Sequence, residues 1–335
     1  MKKTGLDYFN LFLTCLFVLL LMLYGYALIK GKEFDKLKWN AEVHTTSEDK
    51  TMKKGNMIRV INADLFNNSN DSENSPEFSS PDLIYSKSTD SVYFWGKDDL
   101  LPDSLSLKYY SIDEKKFYSL HTKLPYDNLK QAIKNKLVES IVSINIMPKG
   151  KIELWIKQPD NDDFKPFIIK IFRALESIGN VEELVYRKSG GEKYNDFPGI
   201  KNGSDFSDLL RKEYIWEVKV ETEDDGDRLK KVEAAGYDEN RIEIAKEDHD
   251  AKSQNIPKIF SIDWGDKQEY GIQYSFNAEE ILTAFRKLDS IKGNEPIQLT
   301  FKVYKNKYAE CLLSKNGIII PLKDLYPDDP IKYAR

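Results

Sequence analysis

The chain has 335 residues, 41% of them hydrophobic and 31% charged, and a formal net charge of −5. Such a composition folds, and the length suffices for one large domain or two ordinary ones beyond a membrane segment. Eight arginines among fifty basic residues, with no basic stripe, speak against a nucleic-acid partner.

The first element is apolar. LFLTCLFVLLLMLYGYALI, from Leu11 to Ile29, carries no charge across 19 residues. As a helix it would span roughly 29 Å, about the thickness of the hydrocarbon core. Lys2 and Lys3 precede it, and Lys30 and Lys32 follow. Residues 1–33 therefore read as an uncleaved signal anchor, with the membrane as partner through Leu11–Ile29. Two other readings compete. Gly25-Tyr26-Ala27 loosely fits a signal-peptide cleavage site, but the apolar run exceeds the usual length. A lipid-bearing Cys15 would want a small residue before it and a later position. The basic flanks nearly cancel, and the Met-Lys-Lys start favours a cytoplasmic N-terminus. The expectation is a single pass through a bacterial inner membrane, with the soluble part in the periplasm.

After a polar stem, Trp39–Thr45 alternates apolar and polar residues as a strand with one buried face, and Met57–Ile61 is a second. Asn67 to Asp82 is polar and reads as a disordered surface loop; Val92–Trp95 reads as a strand. Leu105–Tyr110 and Phe117–His121 pair around SIDEKK. YDNLKQAIKNKL places Leu129, Ile133 and Leu137 on one helical stripe. Ile141–Met147 and Ile152–Ile156 form a hairpin around PKGK. KPFIIKIFRALESIG reads as the longest helix, stopped by Gly179. The polar, Gly-containing stretch from Arg187 reads as a linker.

The second half echoes the first. Trp216–Lys231 matches Trp39–Lys54 at Trp39/Trp216, Val43/Val220, Thr45/Thr222, Lys53/Lys230 and Lys54/Lys231. Pro102 meets Pro257, Leu107 meets Ile262, Tyr109 meets Trp264, and the stripe Leu129/Ile133 meets Ile281/Phe285. Asn277 and Glu280 form a near capping box before the second helix. A hairpin follows in both halves. The fold expected is α+β: an N-terminal transmembrane helix and two related domains, 34–188 and 212–335, joined by a linker at 189–211. Each domain would hold a mostly antiparallel sheet with one or two packed helices. The Trp39 and Trp216 strands would be core. Glu221 stands where His44 stands, so the histidine is not part of the shared pattern.

KWNAEVHT and LPDSLSLKYYSIDEKKFYSLHTKLP resemble a bacterial envelope family catalogued as domain of unknown function 2931, whose members are often lipoproteins. The shared features are the W-x-A opening strand, the LPDSL turn and KFY before LP and a helix, over roughly residues 38 to 180. The second unit fits more loosely, with Trp264 at the strand position and Tyr270 in place of Phe117. The resemblance implies an envelope location; the family has no established catalytic residues, so none is carried over. Because some such proteins sit beside secreted antibacterial toxins, it associates the chain with an immunity role.

No motif points to a reaction. His44, His121 and His249 lie apart from one another, away from ligand spacing. The carboxylate clusters Asp160–Asp163 and Glu223–Asp227 read as hydrophilic turns; the second lacks the calcium loop's final Glu, with Ala235 at position twelve. Gly190-Gly191 lacks the strand-to-helix setting of a phosphate cradle. Cys15 and Cys311 are unsuited to bridge each other or to bind zinc. Tyr109, Tyr110, Phe117, Tyr118, Trp155, Trp264, Tyr270 and Tyr274 follow strand alternation as core, with a remainder for an interaction face. The expectation is therefore no catalytic, cofactor-binding or metal site, no cofactor and no small-molecule substrate. The chain reads as a membrane-anchored, non-enzymatic protein that binds another protein, of immunity type in its most concrete form. The alternative is a structural or accessory component of an envelope or secretion machine.

Overall fold

The computed structural model describes residues 5–30, 37–46, 55–68, 82–85, 92–94, 98–134, 140–157, 167–189, 192–242, 244, 251–305, 309–327 and 331–333. Helix α1 (Gly5–Lys30) opens the chain. The first half follows with β1 (Leu37–Thr45), β2 (Met57–Phe66), β3 (Asp82–Tyr85), β4 (Val92–Phe94), β5 (Asp98–Asp99), β6 (Ser104–Ser111), β7 (Lys116–Lys123), α2 (Tyr126–Lys134), β8 (Ser140–Ile146), β9 (Lys151–Lys157), β10 (Phe167–Arg173) and β11 (Leu175–Ser177). A middle stretch holds α3 (Glu182–Val185), β12 (Tyr186–Ser189), β13 (Glu192–Asn195) and α4 (Gly203–Arg211). The second half runs β14 (Glu213–Thr222), β15 (Arg228–Gly236), β16 (Arg241–Ile242), β17 (Lys252–Asn255), β18 (Pro257–Gly265), β19 (Glu269–Phe276), α5 (Ala278–Asp289), β20 (Ile297–Val303), β21 (Glu310–Lys315), β22 (Ile318–Leu322), β23 (Leu325–Pro327) and β24 (Ile331–Tyr333).

The fold is α+β with mostly antiparallel sheets, as expected. In the first half one sheet has the order β10-β9-β8-β1-β4, with β5 also on β1, and the other β11-β7-β6-β2-β3. In the second half the orders are β17-β14-β20-β21-β22 and β16-β15-β18-β19-β23, with β24 also on β19. Each half opens with a Trp strand that pairs in parallel with the strand after its helix. Trp39 faces Ser140 and Thr45 faces Ile146; Trp216 faces Ile297 and Thr222 faces Val303. Both Trp side chains are buried.

The antiparallel sheets agree in finer detail. A β-bulge follows Val60, the residue opposite Tyr109, and another follows Leu229, the residue opposite Trp264. Across the next ladder Tyr109 stacks on Tyr118 at 5.3 Å, and Trp264 stacks on Tyr270 at 5.7 Å. By register the counterpart of Tyr270 is thus Tyr118 rather than Phe117.

Two local readings are corrected. The expected helix is instead strands β10 and β11: Phe167, Ile168, Ile169, Ile171 and Phe172 form a β-branched and aromatic run that pairs with β9, and β11 pairs with β7. Gly179 ends no helix; a side chain there would overlap the Phe117 ring. The expected linker holds β13 and α4, and α4 buries Phe206, Leu209 and Leu210. Asn202 caps α4 by accepting the Asp205 N–H at 2.9 Å.

The other start signal fares differently. Asn277 Oδ1 accepts the N–H groups of Glu279 and Glu280 at 3.0 and 3.1 Å. Glu280 does not close the capping box, because its carboxylate accepts from the N–H groups of Lys323 and Asp324 at 2.8 and 2.9 Å.

One apolar cluster fills the first half, from Trp39 to Ala174. A larger one fills the second half and takes in Met57, Tyr110 and Ile112 from the first. Helix α1 is exposed along its apolar length, and Tyr8–Ala27, with mean hydropathy 2.0, is long and apolar enough to cross a membrane. The loop of residues 69–81, Trp95 and Leu137 lie outside the described residues.

Candidate functional site

Strand alternation gives the β1–β8–β9 sheet two faces. Trp39, Ala41, Val43, Val142, Ile144, Ile152, Leu154 and Ile156 point into the core. The other face presents Glu42 and His44 from β1, Ser143 and Asn145 from β8, and Glu153, Trp155 and Lys157 from β9, set side by side by the registers. A polar outer face normally lies in water. Here Glu42 is 3% exposed, Ser143 and Asn145 0%, and Glu153 6%.

Burial of these groups requires partners, and they have each other. Ser143 Oγ donates to Glu42 Oε1 at 2.6 Å, and Lys157 Nζ donates to the same oxygen. His44 Nδ1 lies 3.0 Å from Ser143 Oγ and 3.6 Å from Glu42 Oε1. The Ser143 proton is committed to Glu42, so His44 must carry its proton on Nδ1 and donate. Asn145 Nδ2 and Trp155 Nε1 both donate to Glu153 Oε2, at 3.3 and 3.0 Å, and Lys151 pairs with Glu153 at 3.0 Å. The His44 and Trp155 rings are 5.1 Å apart.

Burial, then the Lys157 ammonium, push His44 down to about 4 against the opposing pull of Glu42 and Glu153, so the ring is neutral. Burial alone would raise Glu42. Hydrogen bonds from Lys157 and Ser143, together with the Lys157 charge, hold the carboxylate below its usual range. The order differs from that of a Ser–His–acid triad: Glu42 accepts the serine hydroxyl's hydrogen bond directly and does not orient the imidazole from its far side.

The matching face of the second half differs. Lys219 and Glu221 on β14 and Lys302 on β20 occupy the register positions of Glu42, His44 and Asn145. Their side chains are 50%, 39% and 42% exposed, in an ordinary surface ladder with Lys219–Glu221 at 2.7 Å. Strands paired in the same register therefore carry a sealed polar network in one half and a solvated charge ladder in the other. Sequence reasoning set His44 aside because Glu221 replaces it, yet that replacement marks the site.

His121 stands on β7 and stacks on Phe66 at 6.0 Å, away from His44. His249, Asp160–Asp163 and Gly190-Gly191 lie outside the described residues. In the turn Glu223–Asp227, Lys305 Nζ reaches Asp224 and lies 2.8 Å from Asp227, so an ammonium occupies the place between the carboxylates. Among the described residues no His, Cys, Asp or Glu cluster could hold a metal ion. Cys15 and Cys311 are free thiols. Tyr109, Tyr110, Tyr118, Trp264, Tyr270 and Tyr274 are buried, whereas Phe117 and Trp155 are half-buried.

Fold and site together define an α+β chain with an apolar N-terminal helix and a polar face built into its first sheet. No family model, no curated protein and no solved structure matches the chain.

Proposed function

We propose that this is a membrane-anchored, non-enzymatic envelope protein whose outer face on β1, β8 and β9 binds another protein. The observation that carries the reading is the contrast between the two halves. A shared backbone needs no buried Glu42–His44–Ser143–Lys157 network, because the second half manages with an exposed ladder. The buried groups, held rigid by mutual hydrogen bonds, fix the half-buried His44, Trp155 and Lys157 at their edge, and these three make the pre-organised recognition surface. The halves would then descend from one module, with the first specialised for binding; the matching strand orders, registers and bulges support that descent.

Helix α1 would hold the face at the periplasmic side of a bacterial inner membrane. The resemblance of its opening strand and LPDSL turn to envelope proteins makes a secreted antibacterial toxin the most concrete partner, blocked by occlusion. Capture by the detergent-solubilised full chain tests the reading. A toxin encoded beside this gene should be retained, and Trp155→Ala should weaken retention by about 1–2 kcal/mol, roughly tenfold. Cells lacking the protein but equally toxin-resistant, with impaired secretion or envelope integrity, would instead support the accessory-component reading.

A further inference from the structure

We infer that β10 is a docking edge for an extended, acidic and apolar segment of the partner, added as a further strand beside β9's sheet. The inference rests on the protein-binding reading above and names how the partner engages. Among the described residues strand β10 ends its sheet, and β11, continuing the same chain, ends the other sheet of the first half. An end strand turns alternate N–H and C=O groups outward, ready to pair with another chain. The side chains there are unusually apolar for an open edge: Phe167 is 61% exposed, Ile168 46%, Ile171 53%, Leu175 73% and Ile178 96%.

The second half shows what a closed edge looks like. Strand β22 is the counterpart of β10 in sheet order, and Pro321 faces Leu312 where Ile168 faces Trp155. Proline cannot donate to a ladder, so its nitrogen sits on the open side and interrupts any incoming strand. Over residues 167–178 there is no proline.

Charge selects the occupant. Phe167–Leu175 contains Lys170 and Arg173 and no carboxylate. Among the described residues neither cation forms an ion pair, and Lys170 instead lies over the Phe172 ring at 5.1 Å. A second copy fits poorly, because antiparallel pairing of two β10 strands centred on Lys170 sets lysine against lysine. A strand that alternates acidic and aliphatic residues satisfies the edge, the stripe and both cations. Ile168 lies opposite Trp155, so the added strand would continue the polar face of Glu42 and His44 outward.

The probe is a short labelled peptide alternating Glu with Val, measured by fluorescence anisotropy against the full chain in zwitterionic nanodiscs. A peptide alternating Lys with Val serves as control. The acidic peptide should bind at least about tenfold more tightly. Ile168→Pro should remove binding. Lys170→Glu with Arg173→Glu, both exposed changes, should reverse the preference toward the basic peptide, which misfolding could not do. Equal binding of the two peptides overturns the inference, as does acidic-peptide binding that survives both variants. So does loss of preference together with K170E/R173E-sensitive binding to phosphatidylglycerol vesicles, which would make the strip a lipid contact. Capture of a partner protein unaffected by Ile168→Pro would sink this edge while leaving the protein-binding reading standing.

Discussion

At the scale of single residues, the Glu42–His44–Ser143–Lys157 cluster makes stability depend on pH. His44 is held down to about 4 in the fold, against about 6.5 in an unfolded chain. Protons therefore bind the unfolded state more readily. The stabilisation from a neutral His44 is complete above about pH 6.5 and is lost as pH falls toward 4, on the order of 3 kcal/mol in all. Glu42, also held below its usual range, works in the same direction, and Glu153 and Lys157 are the other charged groups facing the ring. Urea unfolding followed by fluorescence between pH 7 and 4 should show a falling midpoint, and His44→Gln should flatten the fall. An unchanged slope in the variant would assign the acid sensitivity elsewhere. The polar identity of these residues was readable in the sequence, but their burial was not. Alternation predicts a solvent face, and only the registers of β1, β8 and β9 show that the polar groups saturate one another.

Elements were legible where their periodicity was unambiguous. The Trp strands, the hairpin β8–β9, the pair β6–β7 and helices α2 and α5 stand as expected, whereas Phe167–Arg173 and Leu175–Ser177 form strands despite a helix-length run. A run of aliphatic and aromatic residues fits either period, and pairing with β9 decides it. The hairpin between β8 and β9 depends on Gly150, whose φ is +74 and where an added Cβ would stand 2.6 Å from the Ala174 carbonyl. That carbonyl's own residue donates its N–H to Gly150 O at 2.8 Å, tying the start of β11 to this turn. Gly150→Ala should cost about 2 kcal/mol or more by thermal denaturation, through strain and displacement of the 174–177 stretch. A cost within a few tenths of a kcal/mol would show that this close approach relaxes freely. In the second half Trp264→Ala should cost about 3–5 kcal/mol, since the residue is fully buried against Tyr270.

At the scale of the molecule, α4 ties the halves together. Tyr110 Oη donates to Gly203 O at 2.7 Å, Lys115 meets Asp208 at 2.7 Å, and Arg211 Nε meets Asp113 at 2.8 Å. From the other side Arg286 reaches Asp205 and Asp208 at 2.6 and 2.7 Å. A stretch with the composition of a linker thus becomes a clasp, because its apolar Phe206, Leu209 and Leu210 complete a core begun elsewhere. Calorimetry of the full chain should give one cooperative transition, and Asp208→Ala should lower it by about 1–2 kcal/mol. Two resolved transitions in the unaltered chain would show that the halves melt independently. A reporter fused after Arg335 should be active in the periplasm; activity confined to the cytoplasm would reverse the topology.

The parallel pairing of β1 with β8 also governs the order in which the chain can mature. Thr45 must find Ile146, 101 positions later, before the strand nearest the apolar helix is satisfied on that side, and β14 waits 81 positions for β20. Closing such long loops precedes any reward in contacts. During synthesis, then, Trp39–Thr45 would wait until about a hundred more residues had been made. A product cut short before Ser140 would leave that strand open, a natural substrate for proteases and a measurable signature of premature arrest.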